Sequence, residues 1–268
     1  MAYVNYVTKN LAIKIVYYGP GLSGKTTNLR YIYYKLDPAY RGDLICLETD
    51  TERTIFFDLL PIKAGLIGEF KVHFQLLTVP GQVFYEASRK SVLRGADGVI
   101  FVADSQLPLL DANLESFDSL RRNLLANDMD LNLMPLVFQY NKRDLENLIP
   151  VETFNNLLNP QRLPFVESSA INGWGVFESL HEIAKLTVPR VREKVLEEKK
   201  LEPEEKEEQE KALEKEIYGK LQTPRLEEKL PEARPAIPAE SKRKVRTHED
   251  IERELERLAK EFLGKKGE

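Results

Sequence analysis

The chain has 268 residues, 42% of them hydrophobic and 31% charged, with a formal net charge of -4. That supports one substantial core plus an extra segment, and the acidic balance offers no overall attraction for nucleic acid or an anionic membrane. The single cysteine, Cys46, excludes an intrachain disulfide or a Cys-based zinc site.

In chain order, no apolar run approaches the roughly 20 residues of a transmembrane segment, and neither a leader peptide nor a C-terminal lipidation box is visible, so the chain reads as cytoplasmic. Leu11–Tyr18 is an apolar run that reads as a strand. Leu29, Ile32, Tyr33 and Leu36 then recur at helical spacing until Asp37-Pro38 stops the pattern. Val72, Phe74 and Leu76 alternate as a strand running to Thr78 and Val79. Gly98–Ala103 and Leu136–Tyr140 are short apolar runs of the kind buried at a sheet centre. Asp111–Ala126 reads as a helix, as does the stretch from Trp174 onward, with Phe177, Leu180, Ile183 and Ala184 on one face and Pro189 expected to kink or end it. Strands alternating with helices from about Leu11 to Val195 predict an α/β fold with a mostly parallel central sheet covered on both faces, and the phosphate-binding pattern at Gly19–Thr26 makes that fold the P-loop NTPase type.

Residues 196–268 have a different character. Leu201–Lys215 is dense in Glu and Lys, and Pro224, Pro231, Pro235 and Pro238 mark an extended linker, so 196–246 is expected to be largely disordered. Lys242-Arg243-Lys244 with Arg246 reads as a solvated charge run rather than a site for acidic lipid or RNA. Within 247–264, Thr247 and Asp250 resemble a capping box, and Ile251, Leu255, Leu258 and Phe262 form a one-sided helical stripe ended by Gly264.

Two motifs carry chemistry. Gly19-Pro20-Gly21-Leu22-Ser23-Gly24-Lys25-Thr26 matches the phosphate-binding pattern G-x-x-x-x-G-K-[ST] in a strand–loop–helix context. Backbone N–H groups from Gly19 and Gly21 through Thr27 are expected to face phosphate oxygens at the start of a helix, whose dipole favours negative charge. Lys25 reaches the β and γ phosphates and the Thr26 hydroxyl ligates Mg²⁺ in this pattern. By itself it serves ATP or GTP. Asn141-Lys142-Arg143-Asp144 follows a predicted strand, at the strand end where open α/β sheets bind ligands. An Asp carboxylate there accepts from the ring N–H and the exocyclic amine of guanine, which adenine does not offer in that place. Alone this is a weak polar turn; after the P-loop it selects guanine.

With Thr54, Gly81-Gln82 and Ser169-Ala170, these motifs stand in the order of the small Ras-like GTPases, which residues 9–195 resemble. More locally, Lys14–Leu29, Glu52-Arg53-Thr54 followed by Phe56-Phe57-Asp58, and Thr78-Val79-Pro80-Gly81-Gln82-Val83-Phe84-Tyr85 are similar to the bacterial gliding-motility and polarity GTPases of the MglA type. The resemblance implies a GTP/GDP switch with Mg²⁺ as cofactor, held by Thr26 and Thr54. It implies that Thr54 also binds the γ-phosphate, that Gly81 senses it, that Gln82 orients the attacking water, and that Ser169 and Ala170 steady the guanine. Arg53 is the implied arginine finger. Also implied are a Roadblock/LC7-type (MglB-like) homodimeric activator, unidentified effectors, recruitment to a cell pole, and a part in polarity, gliding or pilus motility. One position departs from ordinary Ras-like proteins: the aspartate that usually supports Mg²⁺ is Thr78. Asp58 is the candidate replacement, against a surface or core-capping role. Two other classes stay open, a GTP-binding scaffold with negligible hydrolysis and an interaction protein whose C-terminal tail recruits partners.

Overall fold

In the computed structural model, residues 3–5, 7–46, 57–67, 69–82 and 85–199 are described. Eight strands form one sheet: β1 (Tyr3–Asn5), β2 (Asn10–Tyr18), β3 (Ile45–Cys46), β4 (Asp58–Ile67), β5 (Phe70–Thr78), β6 (Gly98–Asp104), β7 (Leu136–Asn141) and β8 (Phe165–Glu167). Their order is β3-β4-β5-β2-β6-β7-β8, with β1 paired to β2. The stretch from β5 to β8 is parallel, while β3 and β4 add antiparallel pairs at one edge and β1 pairs antiparallel with the start of β2. The central strand β6 is buried along its whole length, as its continuous apolar run requires in a sheet covered on both faces.

The helices are α1 (Lys25–Lys35), α2 (Glu86–Leu93), α3 (Leu110–Leu125), α4 (Val151–Leu157) and α5 (Val176–Lys199). One core face joins Leu29 and Ile32 of α1 with Val176, Leu180, Ile183 and Ala184 of α5. The other joins Leu93 of α2, Leu120 and Leu124 of α3 and Phe154 of α4 with Phe101 and Phe138. Among the described residues no helix is long and apolar enough to cross a membrane.

Pro189 does not end its helix. α5 continues to Lys199 with Pro189 inside it, four residues beyond the expected domain boundary. The proline ring removes an N–H that would bond the carbonyl of Lys185; both residues are on the exposed side, where water can serve that carbonyl. The linker from 200 onward and the segment 247–264 lie outside the described residues.

Candidate functional site

The P-loop runs from the end of β2 into α1. Gly24 caps α1 in the left-handed region, at φ 100°, with no side-chain cap and no acidic residue in the first turn. Gly24 has no side chain to cap the helix, and the loop opens onto the N-terminus of α1, the end of a helix that favours an anion. Lys25 is buried, and its Nζ donates to the carbonyls of Gly19 (2.9 Å) and Pro20 (2.6 Å). Burial lowers its pKa to about 7; Asp58 opposes that shift and the Arg89 guanidinium adds to it. A phosphate beside it restores the charge. Leu22 is exposed on the loop, whereas Ser23 is buried.

Asn141, the last residue of β7, ties three loops together. Its Nδ2 donates to the Ser23 carbonyl at 2.7 Å, while its Oδ1 accepts from the Ala170 N–H at 2.8 Å and from Ser168 Oγ at 3.1 Å. A Cβ on Gly24 would lie 2.3 Å from Asn141 Nδ2, so a glycine is needed for this approach. Lys142, at φ 68°, pairs with buried Asp104 at 2.6 Å. Asp144 is exposed at the turn after β7. The Ser169 carbonyl accepts from the Gly173 N–H at 2.7 Å, and the Ser169 N–H donates to the Trp174 carbonyl at 3.0 Å, which fixes the loop bearing Ala170.

Thr78 and Asp58 meet across the antiparallel β4–β5 pair. Asp58 is fully buried, which excludes the surface reading. Its Oδ2 accepts from Thr26 Oγ1 at 2.6 Å and from Thr78 Oγ1 at 2.8 Å, and its own N–H donates to Thr78 Oγ1 at 2.8 Å. Its other oxygen, Oδ1, is buried with no hydrogen-bond partner. A carboxylate is thus delivered to the P-loop threonine from the neighbouring strand rather than from position 78. Gly81 lies against the P-loop: a Cβ on it would sit 2.6 Å from the Gly21 Cα and N and 2.8 Å from Lys25 Nζ. The main-chain carbonyl of the next residue, Gln82, accepts from Arg89 Nη1.

The structure brings together the P-loop, Gly81, Asn141, Ser169 and Ala170, while Lys142 and Asp144 follow Asn141 in the turn after β7 and Gln82 follows Gly81. Arg53, Thr54 and Phe56 lie outside the described residues. Three contributors carry no local sequence signal. Buried Arg89, in the first half of α2, anchors Gln82 and adds positive charge near Lys25. Asn28 and Gln139 form a buried pair: Gln139 Nε2 donates to Asn28 Oδ1 at 2.8 Å, and Asn28 Nδ2 donates to the Gly24 carbonyl at 2.9 Å. They bind α1 to the base-side strand through polar groups that burial would otherwise penalise.

An open sheet whose first parallel strand feeds a P-loop, with a base-side Asn-Lys-x-Asp turn at the same edge, defines a P-loop nucleotide-binding domain. The Ras family model matches residues 14–188, and the chain belongs to that family of small GTPases, whose members hydrolyse GTP. It is 52% identical over 192 residues to the Mutual gliding-motility protein MglA of Myxococcus xanthus (strain DK1622), an alignment spanning 72% of this chain and 98% of that relative.

Proposed function

We propose that this GTPase is a molecular switch that binds GTP with Mg²⁺, hydrolyses it slowly alone and faster with a Roadblock/LC7-type homodimer, and acts in gliding motility or cell polarity. The observation carrying the site is Asn141, whose one side chain holds the P-loop and the Ser169–Ala170 loop in a single frame. The motility role rests on the gliding-motility relative, and the activator on the sequence resemblance.

The donor set fits a magnesium ion: the Thr26 hydroxyl is backed by the buried Asp58 carboxylate, whose Oδ1 has no partner, and a hard cation takes such oxygens. Thr26 and Thr54 would hold it, with Asp58 acting through the Thr26 hydroxyl. When bound, the ion offsets phosphate charge. This arrangement supports a metal-competent enzyme over a scaffold weakened at Thr78.

The remaining work is positioning and electrostatics. Lys25 moves from its two carbonyl acceptors to phosphate oxygens. Gly81 presents its N–H to the γ-phosphate, and Gln82, held through its main chain by Arg89, orients the water. Asp144 accepts from guanine, with Ser169 and Ala170 behind it. Arg53 neutralises charge developing in the transition state once the partner seats it. Single-turnover hydrolysis with and without the homodimer tests this. Arg53→Ala should retain GTP affinity and lose about 10³-fold or more of the stimulated rate; full stimulation in that variant removes Arg53 from the mechanism.

A further inference from the structure

The end of the domain remote from the nucleotide loops carries an apolar surface that the mechanism does not use. A cavity of about 680 Å³ opens between α3, the loop 126–135 and the loop after α4, over Leu136 at the start of β7. Leu114, Phe117, Leu131 and Leu163 line it, and Leu125 and Leu157 at its rim are 75% and 50% exposed. Single exposed leucines are ordinary; here two of them flank a cavity with an apolar floor. The lining also carries Asp118, Asp128 and Asp130 beside one arginine, Arg121, so what it offers an occupant is an apolar floor inside a mainly acidic rim.

The chain supplies one. Ile251, Leu255, Leu258 and Phe262 form a stripe that a lone helix cannot bury. The Ras match ends at residue 188, and the 192 aligned residues already account for 98% of the gliding-motility relative, which offers no counterpart for the rest of this longer chain. The trajectory of α5 delivers the tail to the correct end. α5 starts beside the Ser169–Ala170 loop, reaches the first residue of β6 at Ile183 and Thr187, and donates from Arg190 to the carbonyl of Leu133 in the cavity-forming loop. Residues 200–250 then connect Lys199 to Ile251, a length of chain that can reach across a domain of this size.

We propose that residues 247–264 form an amphipathic helix that docks in cis in this α3–α4 groove, seating Ile251, Leu255, Leu258 and Phe262 on its apolar lining. The nucleotide edge is left free, so the tail and a partner of the switch loops can be bound together.

Hydrogen exchange on the full-length, GDP-loaded chain, with light scattering at low and high protein concentration, tests the docking. Amides of 251–262 should exchange at least about tenfold more slowly in the wild type than in a Leu125→Lys, Leu157→Lys double variant. Reciprocally, Leu255→Asp with Leu258→Asp, which leaves the domain untouched, should speed exchange in 126–135. The chain should stay monomeric throughout. Unprotected amides at 251–262 in the wild type, or protection that survives the groove substitutions, overturn the proposal. Unchanged exchange at 126–135 in the tail variant does so as well, even if the groove variant fails to fold. Protection that appears only with a concentration-dependent dimer assigns the groove to a second copy instead.

Discussion

Replacing Asp58 by Asn keeps the side chain's shape and removes its charge. In the wild type, Oδ2 accepts from Thr26 Oγ1 at 2.6 Å and Thr78 Oγ1 at 2.8 Å. Hydrogen bonds to a charged acceptor contribute about 1 kcal/mol more than neutral ones, so two of them represent about 2 kcal/mol. Relief of burying an ion offsets much of that in the unliganded protein, so the melting temperature should move by less than about 4 °C. With Mg²⁺ bound, the missing negative charge has no such compensation. The Mg²⁺ concentration that half-suppresses release of a fluorescent GDP analogue should rise roughly 10- to 30-fold, the equivalent of about 1.4 to 2 kcal/mol. Stopped-flow release across a Mg²⁺ titration measures it. A folded Asp58→Asn protein with the wild-type Mg²⁺ midpoint would refute the metal-supporting role and leave Asp58 a structural link between β4, β5 and α1.

Restoring an aspartate at position 78 should harm rather than help. Thr78→Asp places a second carboxylate in hydrogen-bond contact with buried Asp58, and urea unfolding should show a loss of about 3 kcal/mol, or uptake of a proton shared by the pair. Gly81→Ala would push a methyl to 2.6 Å from the Gly21 backbone; equilibrium titration should show GTP affinity falling at least about tenfold more than GDP affinity. Lys25 has a pKa lowered to about 7 by burial, against an ordinary 10.5. Between those values the unfolded chain binds more protons, so stability of the nucleotide-free protein should rise with pH across that window. Phosphate returns the proton, so calorimetry near pH 8.5 in two buffers of different ionisation heat should reveal proton uptake on GDP binding; equal heats would contradict the buried-lysine account.

Features legible in the sequence are those whose chemistry is local. The P-loop and Asn141–Asp144 are contiguous, and their flanking apolar runs β2 and β7 announce where the loops sit. β4 is not legible in this way, because Pro61 and the register shift between Lys63 and Gly65 break its alternation. α2 and α4 span eight and seven residues, too short for a helical period to stand out. Asp58 reaches Thr26 only through the β4–β5 register, so its partner is set by strand pairing rather than by spacing. The Asn28–Gln139 bond joins residues 111 apart in sequence, and the role of Arg89 depends on α2 folding back over Gln82. Pro189 does not end α5, because its effect depends on which side of the helix it occupies.

The central claim is one guanine-nucleotide site assembled from the P-loop, the turn after β7 and the Ser169–Ala170 loop. Competition against a bound fluorescent GDP analogue tests it most directly. Unlabelled GDP should displace the probe at concentrations about 10⁴-fold or more below those needed for ADP, with that gap largely lost in Asp144→Ala. Equal displacement by ADP and GDP, or discrimination unchanged in Asp144→Ala, would contradict the account.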